Sequence, residues 1–417
     1  MRIRATAVAC TAIVMVFSLP GWAWAVPGDI DTTFGTDGIA SDFAGCGGSC
    51  NFPNDVTILE GGRLVEVGVV NTESEEFFGI SGVSAVFTPN GDFVDYGFGA
   101  DRLDLNAFRA IAPHPDGGAV TAGWAQRCRD GRDPCQDLSP SFFMVAKSLP
   151  NGSPDPSFDT DGVVVTWMGP GGGYANGVAV QPDGSIVVVG PVTDAANDPQ
   201  IAAVRYLPNG SRDPSFGDDG RVLLPGGTAN DVEVAGGGKI VIAGAASPTG
   251  FLVLRLLPDG TPDPDFGVGG MVTGLADRVA GANDVALAPG PRILVGGMVE
   301  ATDPVAGTVR GLGLMRLQWD GTPDDRFNDD GQVVTFVEGG WSWVDELVVS
   351  ADDRDIVAGG GFALVRYTKK GVRDTTFGGD GRMTYPWEIE GLVLQGDDLV
   401  MGINDWANGM SLTRILL

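Results

Sequence analysis

The chain has 417 residues, with 26 Lys+Arg against 54 Asp+Glu and a formal charge of -28. So acidic a surface excludes sequence-independent nucleic-acid binding, which needs a basic one. Hydrophobic residues at 43% with 19% charged exclude a disordered chain and predict a packed globular one.

Residues 1–25 read as a signal peptide. Arg2 and Arg4 form a basic start and Ala7 to Leu19 is mostly apolar. Pro20 and Gly21 break the run, and Ala23-Trp24-Ala25 supplies a small-x-small cleavage pattern. The apolar run is too short for a membrane-spanning helix of roughly 20 residues. Export to the cell exterior or periplasm is expected, with cleavage near Ala25 and without membrane insertion. Cys10 leaves with the signal peptide, so four cysteines remain: Cys46, Cys50, Cys128 and Cys135. An even count in an exported chain predicts disulfides, and the close spacings favour Cys46–Cys50 and Cys128–Cys135.

Beyond residue 25 the chain repeats itself. Asp-x-x-Phe followed by a turn-forming residue occurs seven times, with phenylalanines at 34, 98, 158, 216, 266, 327 and 377. The following residue is Gly, Asp or Asn in every copy, which predicts a backbone φ above zero there. Five copies carry a basic residue eight positions before the Asp: Lys147, Arg205, Arg255, Arg316 and Arg366. Asn-Gly or Asp-Gly turns usually lie between the two and predict hairpins. The second copy is irregular, with Phe87 at the basic position and Arg102 where most copies have a later Gly.

Four short strands follow in each repeat. Strand A follows the Phe motif, as in Ile39–Phe43 and Arg221–Leu224. Strand B recurs as Val56–Leu59, Ala110–Pro113, Val178–Gln181, Val232–Ala235, Val285–Ala288, Leu347–Ser350 and Leu392–Gln395. Strand C is represented by Ile186–Gly190, Ile240–Gly244 and Ile356–Gly360, and strand D by Ala202–Leu207 and Phe362–Tyr367. Strands this short, bounded by Gly, Pro, Asn and Asp, make an all-β chain. Seven repeats of four strands predict a seven-bladed β-propeller over residues 26–417. The last strand, Ser411–Leu417, is a strand D without a following Phe motif, and Asp29–Gly38 supplies that motif. The ring is therefore expected to close by pairing of the terminal strands.

The segments Leu207-Pro208-Asn209-Gly210-Ser211-Arg212-Asp213-Pro214-Ser215-Phe216-Gly217 and Asn176-Gly177-Val178-Ala179-Val180-Gln181-Pro182-Asp183-Gly184 resemble the two halves of the delta-60 repeat. The resemblance covers essentially the whole chain after residue 25. It implies a secreted bacterial β-propeller and carries no established activity.

The repeated Asp and Arg are expected to be structural, with Asp capping its turn and meeting the strand D base while Phe packs between blades. Calcium is the one cofactor these Asp-rich turns leave open, although they lack the ligand spacing of a calcium loop. His114, the only histidine, is expected at the surface in a B–C turn, and no other metal or catalytic motif is evident. A pair of catalytic carboxylates would leave no local signature.

Function is expected where the repeats differ. The A–B and C–D connections share one face by strand parity and hold all four cysteines. Trp167, Trp341, Trp343 and Trp387 are assigned to A–B connections, and Trp124 and Trp406 to C–D connections. The expectation is a monomeric, non-catalytic binding propeller that takes a protein or glycan partner on this face. Trp341→Ala or Trp387→Ala should weaken such binding, whereas changing Phe216 or Asp213 should lower stability. The alternative is a polysaccharide-active hydrolase or lyase using loop carboxylates.

Overall fold

The computed structural model describes residues 27–41, 51–74, 77–99, 105–126, 140–194, 196, 198–247, 249–275, 279–303, 307–337, 342–352, 354–405 and 409–417. Residues 1–26, Trp341, Trp406 and the cysteines at 46, 50, 128 and 135 lie outside them. Both expected disulfides thus lie outside the described residues, and no disulfide is found within them.

Apart from one 3-10 turn at Gly236–Gly238, the described elements are strands. The first is β1 (Ile39–Ser41). Next come β2 (Asn51–Ile58), β3 (Leu64–Ser74), β4 (Phe77–Phe87) and β5 (Phe93–Gly99), one antiparallel sheet. The second sheet is β6 (Leu105–Pro113), β7 (Ala119–Gln126), β8 (Phe142–Ser148) and β9 (Val163–Thr166). The third is β10 (Gly177–Val180), β11 (Ile186–Thr193), β12 (Pro199–Tyr206) and β13 (Arg221–Pro225). The fourth is β14 (Asp231–Val234), β15 (Ile240–Ala245), β16 (Phe251–Leu256) and β17 (Met271–Gly274). The fifth is β18 (Ala280–Ala288), β19 (Arg292–Asp303), β20 (Gly307–Gln318) and β21 (Gln332–Thr335). The last comprises β22 (Glu346–Val349), β23 (Asp355–Thr368), β24 (Arg382–Gln395), β25 (Asp398–Asp405) and β26 (Gly409–Leu416), and β1 joins it.

The expected ring of seven four-stranded blades is thereby corrected to a β-propeller of six hydrogen-bonded sheets, five of four strands and one of six. The cause lies in the last two repeats. β23 pairs with β22 through its first half and with β24 through its second. β24 runs unbroken through Tyr385-Pro386-Trp387, pairing with β23 before that point and again at Ile389 beyond it, where it also pairs with β25. No gap in hydrogen bonding separates the two repeats. The terminal pairing holds as expected, with Ile39 opposite Thr413 and Ser41 opposite Ser411.

The core lies between neighbouring sheets. Phe216 packs with Val187 and Val189 of β11 and with Ile240 and Ile242 of β15. Phe266 does the same between β15 and β19, and Phe34 joins Leu412 to Leu64 and Phe87. The repeat polar residues hold these layers in register. Arg255 Nε donates to Asp263 at 2.7 Å and the guanidinium lies 4.7 Å from the Phe266 ring centre. Arg205 with Asp213 and Phe216, and Arg414 with Asp31 and Phe34, repeat the arrangement. Nη1 of Arg316 donates to the Lys369 carbonyl at 2.6 Å, in the D–A turn of the next repeat. The N–H after the Phe also donates to that neighbouring turn, as Gly217 does to Asp259 and Asn328 to Lys370. This crossing needs the left-handed backbone expected from sequence, and φ is +56° at Gly217 and +53° at Asn328.

Candidate functional site

Seven strands enclose a central channel: β2, β6, β10, β14, β18, β22 and the second half of β24. They touch in that cyclic order, and β24 returns to β2. The channel contains a cavity of about 670 Å³, within the range of small-ligand pockets. Its lining starts where the A–B connections deliver the chain to each inner strand, with Asn54, Arg109, Asn176, Asn230, Asn283, Asp345 and Glu390. Register shifts fall at four of these residues, Asn54, Arg109, Asn283 and Glu390. Such bulges turn a side chain out of the ladder, here toward the next strand around the ring.

The asparagines use that reach to tie the strands together. Asn54 Nδ2 donates to the Phe108 carbonyl, Asn230 to Ala282 and Asn283 to Val344, all within 2.6–2.7 Å. Asn176 donates to the Ala229 carbonyl at 3.2 Å. One residue further on, a second belt is built from carboxyls. Asp55 accepts the Ile111 N–H at 2.8 Å, Asp231 accepts Val285 at 3.1 Å, and Asp284 accepts Leu347. Glu346 holds the equivalent place in β22.

Seven lining residues are carboxylic acids: Asp55, Asp231, Glu233, Asp284, Asp345, Glu346 and Glu390. Arg109 is the one basic residue of the lining. Burial pushes Asp55, Glu233 and Asp345 up to about 7. Glu390 rises to about 9 through burial and the neighbouring Asp345 and Glu388. Burial and mutual repulsion also raise Asp284 and Glu346 well above the usual carboxylate range.

These shifts set a pH dependence with a definite sign. Between about pH 4 and pH 9 the folded channel holds protons that the unfolded chain releases, so stability falls as pH rises through that window. The repeat aspartates act oppositely. Burial raises Asp213, but hydrogen bonds from Ser215 and the Arg205 charge outweigh it and hold the group below its ordinary value. Their contribution is lost as pH falls below about 4. The melting temperature is therefore expected to drop by about 5 °C or more between pH 5 and pH 9. A flat or rising melting temperature across that range, followed by circular dichroism, would contradict the assignment.

Around the mouth, the described tryptophans divide. Trp343 is half-buried on an A–B connection, and its Nε1 donates to Asp345 at 2.6 Å. Trp167 is 44% exposed on another A–B connection, 5.3 Å from the Phe142 ring. Two assignments are corrected. Trp124 lies within β7 opposite Ala107 and Phe143, and Trp387 lies within β24, packed on the cluster of Phe377, Tyr385 and Ile389. His114 is also corrected: it is buried, with Nδ1 2.8 Å from Asp116 and Nε2 beneath Gly184 of the next repeat's turn.

Sequence reasoning missed Tyr174, Phe336 and Phe362. They are 39–41% exposed; Tyr174 and Phe336 lie in A–B connections, as Trp167 does, and Phe362 lies within β23 at the bulge between Gly361 and Ala363. The Tyr174 ring carries the Arg109 guanidinium 4.7 Å from its centre, and Arg109 Nη1 donates to Asn176 Oδ1 at 3.1 Å. The opposite side offers Val268 and Val372 among its exposed large apolar side chains and, beside the D–A turn at 88–92, the exposed aromatic pair Phe93 and Tyr96, with ring centres 5.2 Å apart. No group of three His, Cys, Asp or Glu side chains among the described residues is arranged to hold a metal ion. No described helix is long and apolar enough to cross a membrane.

A family model, "Domain of unknown function (DUF5122) beta-propeller", matches residues 181–216 and 238–266. These stretches cover the third and fourth sheets in part. They support a propeller without carrying the delta-60 assignment to the chain as a whole. Among solved structures, the chain is similar to the WD40 beta propeller domain of Doa1, with 12% identity and a TM-score of 0.52. That match covers 90% of this chain and 96% of the other. A protein of unknown function from Dyadobacter fermentans matches with 13% identity and a TM-score of 0.43, over 81% and 97% of the two chains. No curated protein matches the sequence. The chain thus shares the β-propeller fold of that WD40 domain.

Proposed function

We propose that this is an exported, non-catalytic propeller that binds a protein or glycan partner through the A–B/C–D face, centred on the channel mouth. The observation that carries the reading is the gathering of exposed Trp167, Tyr174 and Phe336 in A–B connections of that one face. Aromatic anchors beside a polar pocket are what binding sites use, and few residues supply most of the energy. The basic, apolar and small-residue segments of residues 1–25 support export.

The test is a binding screen of the purified chain on immobilised glycans and proteins. Trp167→Ala is the chosen variant, because Trp387 packs on the core and its loss would lower stability as well. With any ligand found, Trp167→Ala is expected to weaken binding about tenfold or more and to leave the melting temperature unchanged. Binding that survives Trp167→Ala and Tyr174→Ala but is lost on changing Val268 or Val372 would move the working surface to the opposite face.

One observation favours a second reading, a polysaccharide-active hydrolase or lyase. A buried carboxyl held near or above neutrality, such as Glu390, is what a general acid requires. Glycan cleavage that is abolished in Glu390→Gln would select it.

A further inference from the structure

We propose that the partner is a protein presenting a basic segment, and that one of its lysine or arginine side chains enters the channel from the A–B/C–D face. The inference rests on the binding reading above and names the chemistry of the partner.

Charge complementarity is the first argument. Seven carboxylic acids face the cavity and Arg109 is the sole cation of its lining. Arg109 is also engaged, stacked on Tyr174 and bonded to Asn176. Glu233, Glu346 and Glu390 form no ion pair with any described base. An ammonium or guanidinium among them would supply the counter-charge and five or fewer donors for their oxygens.

The shape of the site is the second argument. The carboxyls are distributed around a ring of inner strands and do not converge as a metal site. A cavity of about 670 Å³ suits an organic cation on a long, flexible stem. Such a stem would pass the aromatic residues at the mouth, Tyr174 and Trp343, whose ring faces attract cations.

The third argument separates a peptide from a free amine. Trp167 and Phe336 are exposed on the same face but do not line the cavity. A small amine would leave them in water. A chain crossing the face would cover them while its basic side chain points inward.

The test uses the purified full chain and three probes: a ten-residue peptide alternating glycine and lysine, its norleucine analogue, and spermidine. Binding is read by calorimetry near neutral pH. The lysine peptide is expected to bind at least about tenfold more tightly than either other probe. Glu346→Gln should weaken the lysine peptide about tenfold, since the amide keeps the shape of the neutral acid and cannot ionise. Arg109→Gln removes the competing cation and should tighten it severalfold, an effect that a damaged fold would not produce.

Equal binding of the norleucine peptide overturns the proposal, as does binding of spermidine as tight as that of the lysine peptide. So do variants that leave the affinity unmoved. If the lysine peptide fails while the screen yields a ligand that is lost in Trp167→Ala, the binding face stands and the basic partner falls. If both fail, the face itself is wrong.

Discussion

Arg255→Ala is expected to destabilise the ring by about 4 kcal/mol, the range measured when one member of a buried ion pair is removed. Arg255 and Asp263 are each 1% exposed or less. The guanidinium also lies between the Phe266 and Trp319 rings, 4.7 and 4.5 Å from their centres, and donates to the Trp319 carbonyl of the next repeat. Alanine leaves Asp263 with the Asp265 N–H at 3.0 Å and with Lys239, at 2.7 Å on a partly exposed stem, as its remaining described cation. It also removes the packing of the aliphatic stem and the bond between repeats. Urea unfolding should show the loss as a lower midpoint with an unchanged slope. A change below about 1 kcal/mol would mean that the pair is dispensable and that burial of Phe266 alone holds this layer.

Gly244→Ala should cost a similar amount, about 3 kcal/mol, by overpacking rather than by loss of a contact. A methyl group on Gly244 would sit 1.9 Å from the Thr228 carbonyl oxygen. That atom is backbone and has no rotamer in which to retreat. Gly190 faces the Tyr174 carbonyl at 2.0 Å and Gly123 faces Ala107 at 1.9 Å in the same way. Each glycine lets the third strand of its repeat meet the kinked entry into the inner strand. Gly379, with nothing within 4 Å of its added methyl, is the contrasting site. Because its φ is +85°, an alanine there tests backbone strain alone, expected at about 1 kcal/mol. Thermal melts of the two variants that coincide would contradict the steric account.

Local features were legible in the sequence because they recur. The Asp–Arg pairs, the phenylalanines between sheets and the left-handed residue after six of the seven Phe solve one packing problem repeatedly, so most copies repeat the signal. The sheet count was not legible in the same way. Whether Tyr385-Pro386-Trp387 interrupts a hydrogen-bonded sheet depends on how β23 and β24 meet, and neither motif nor spacing encodes that. His114 misleads for a related reason: its turn is polar in sequence but lies under the turn of the following repeat.

The channel escaped because each inner strand and its entry contribute only one to three polar residues, scattered over more than 330 positions from Asn54 to Glu390. A signal existed. Asn-Asp-Val stands at 54–56, 230–232 and 283–285, with Asn-Gly-Val at 176–178. Starting strand B at Val178 leaves the Asn and its neighbour in the preceding connection. The structure puts them at the channel mouth, where the bulges turn them inward.

The pairing of β1 with β26 bears on biosynthesis. β1 finds its sheet partner only when β26, which follows it by more than 360 residues, has been made. Until then it waits as an edge that any passing chain could extend, and its length of three residues keeps that hazard small. Closing so large a loop costs little more than closing one of half the length, because the entropic cost grows only with the logarithm of loop size. The sheets can therefore form in the order of synthesis, and the final clasp adds a late step at modest thermodynamic cost.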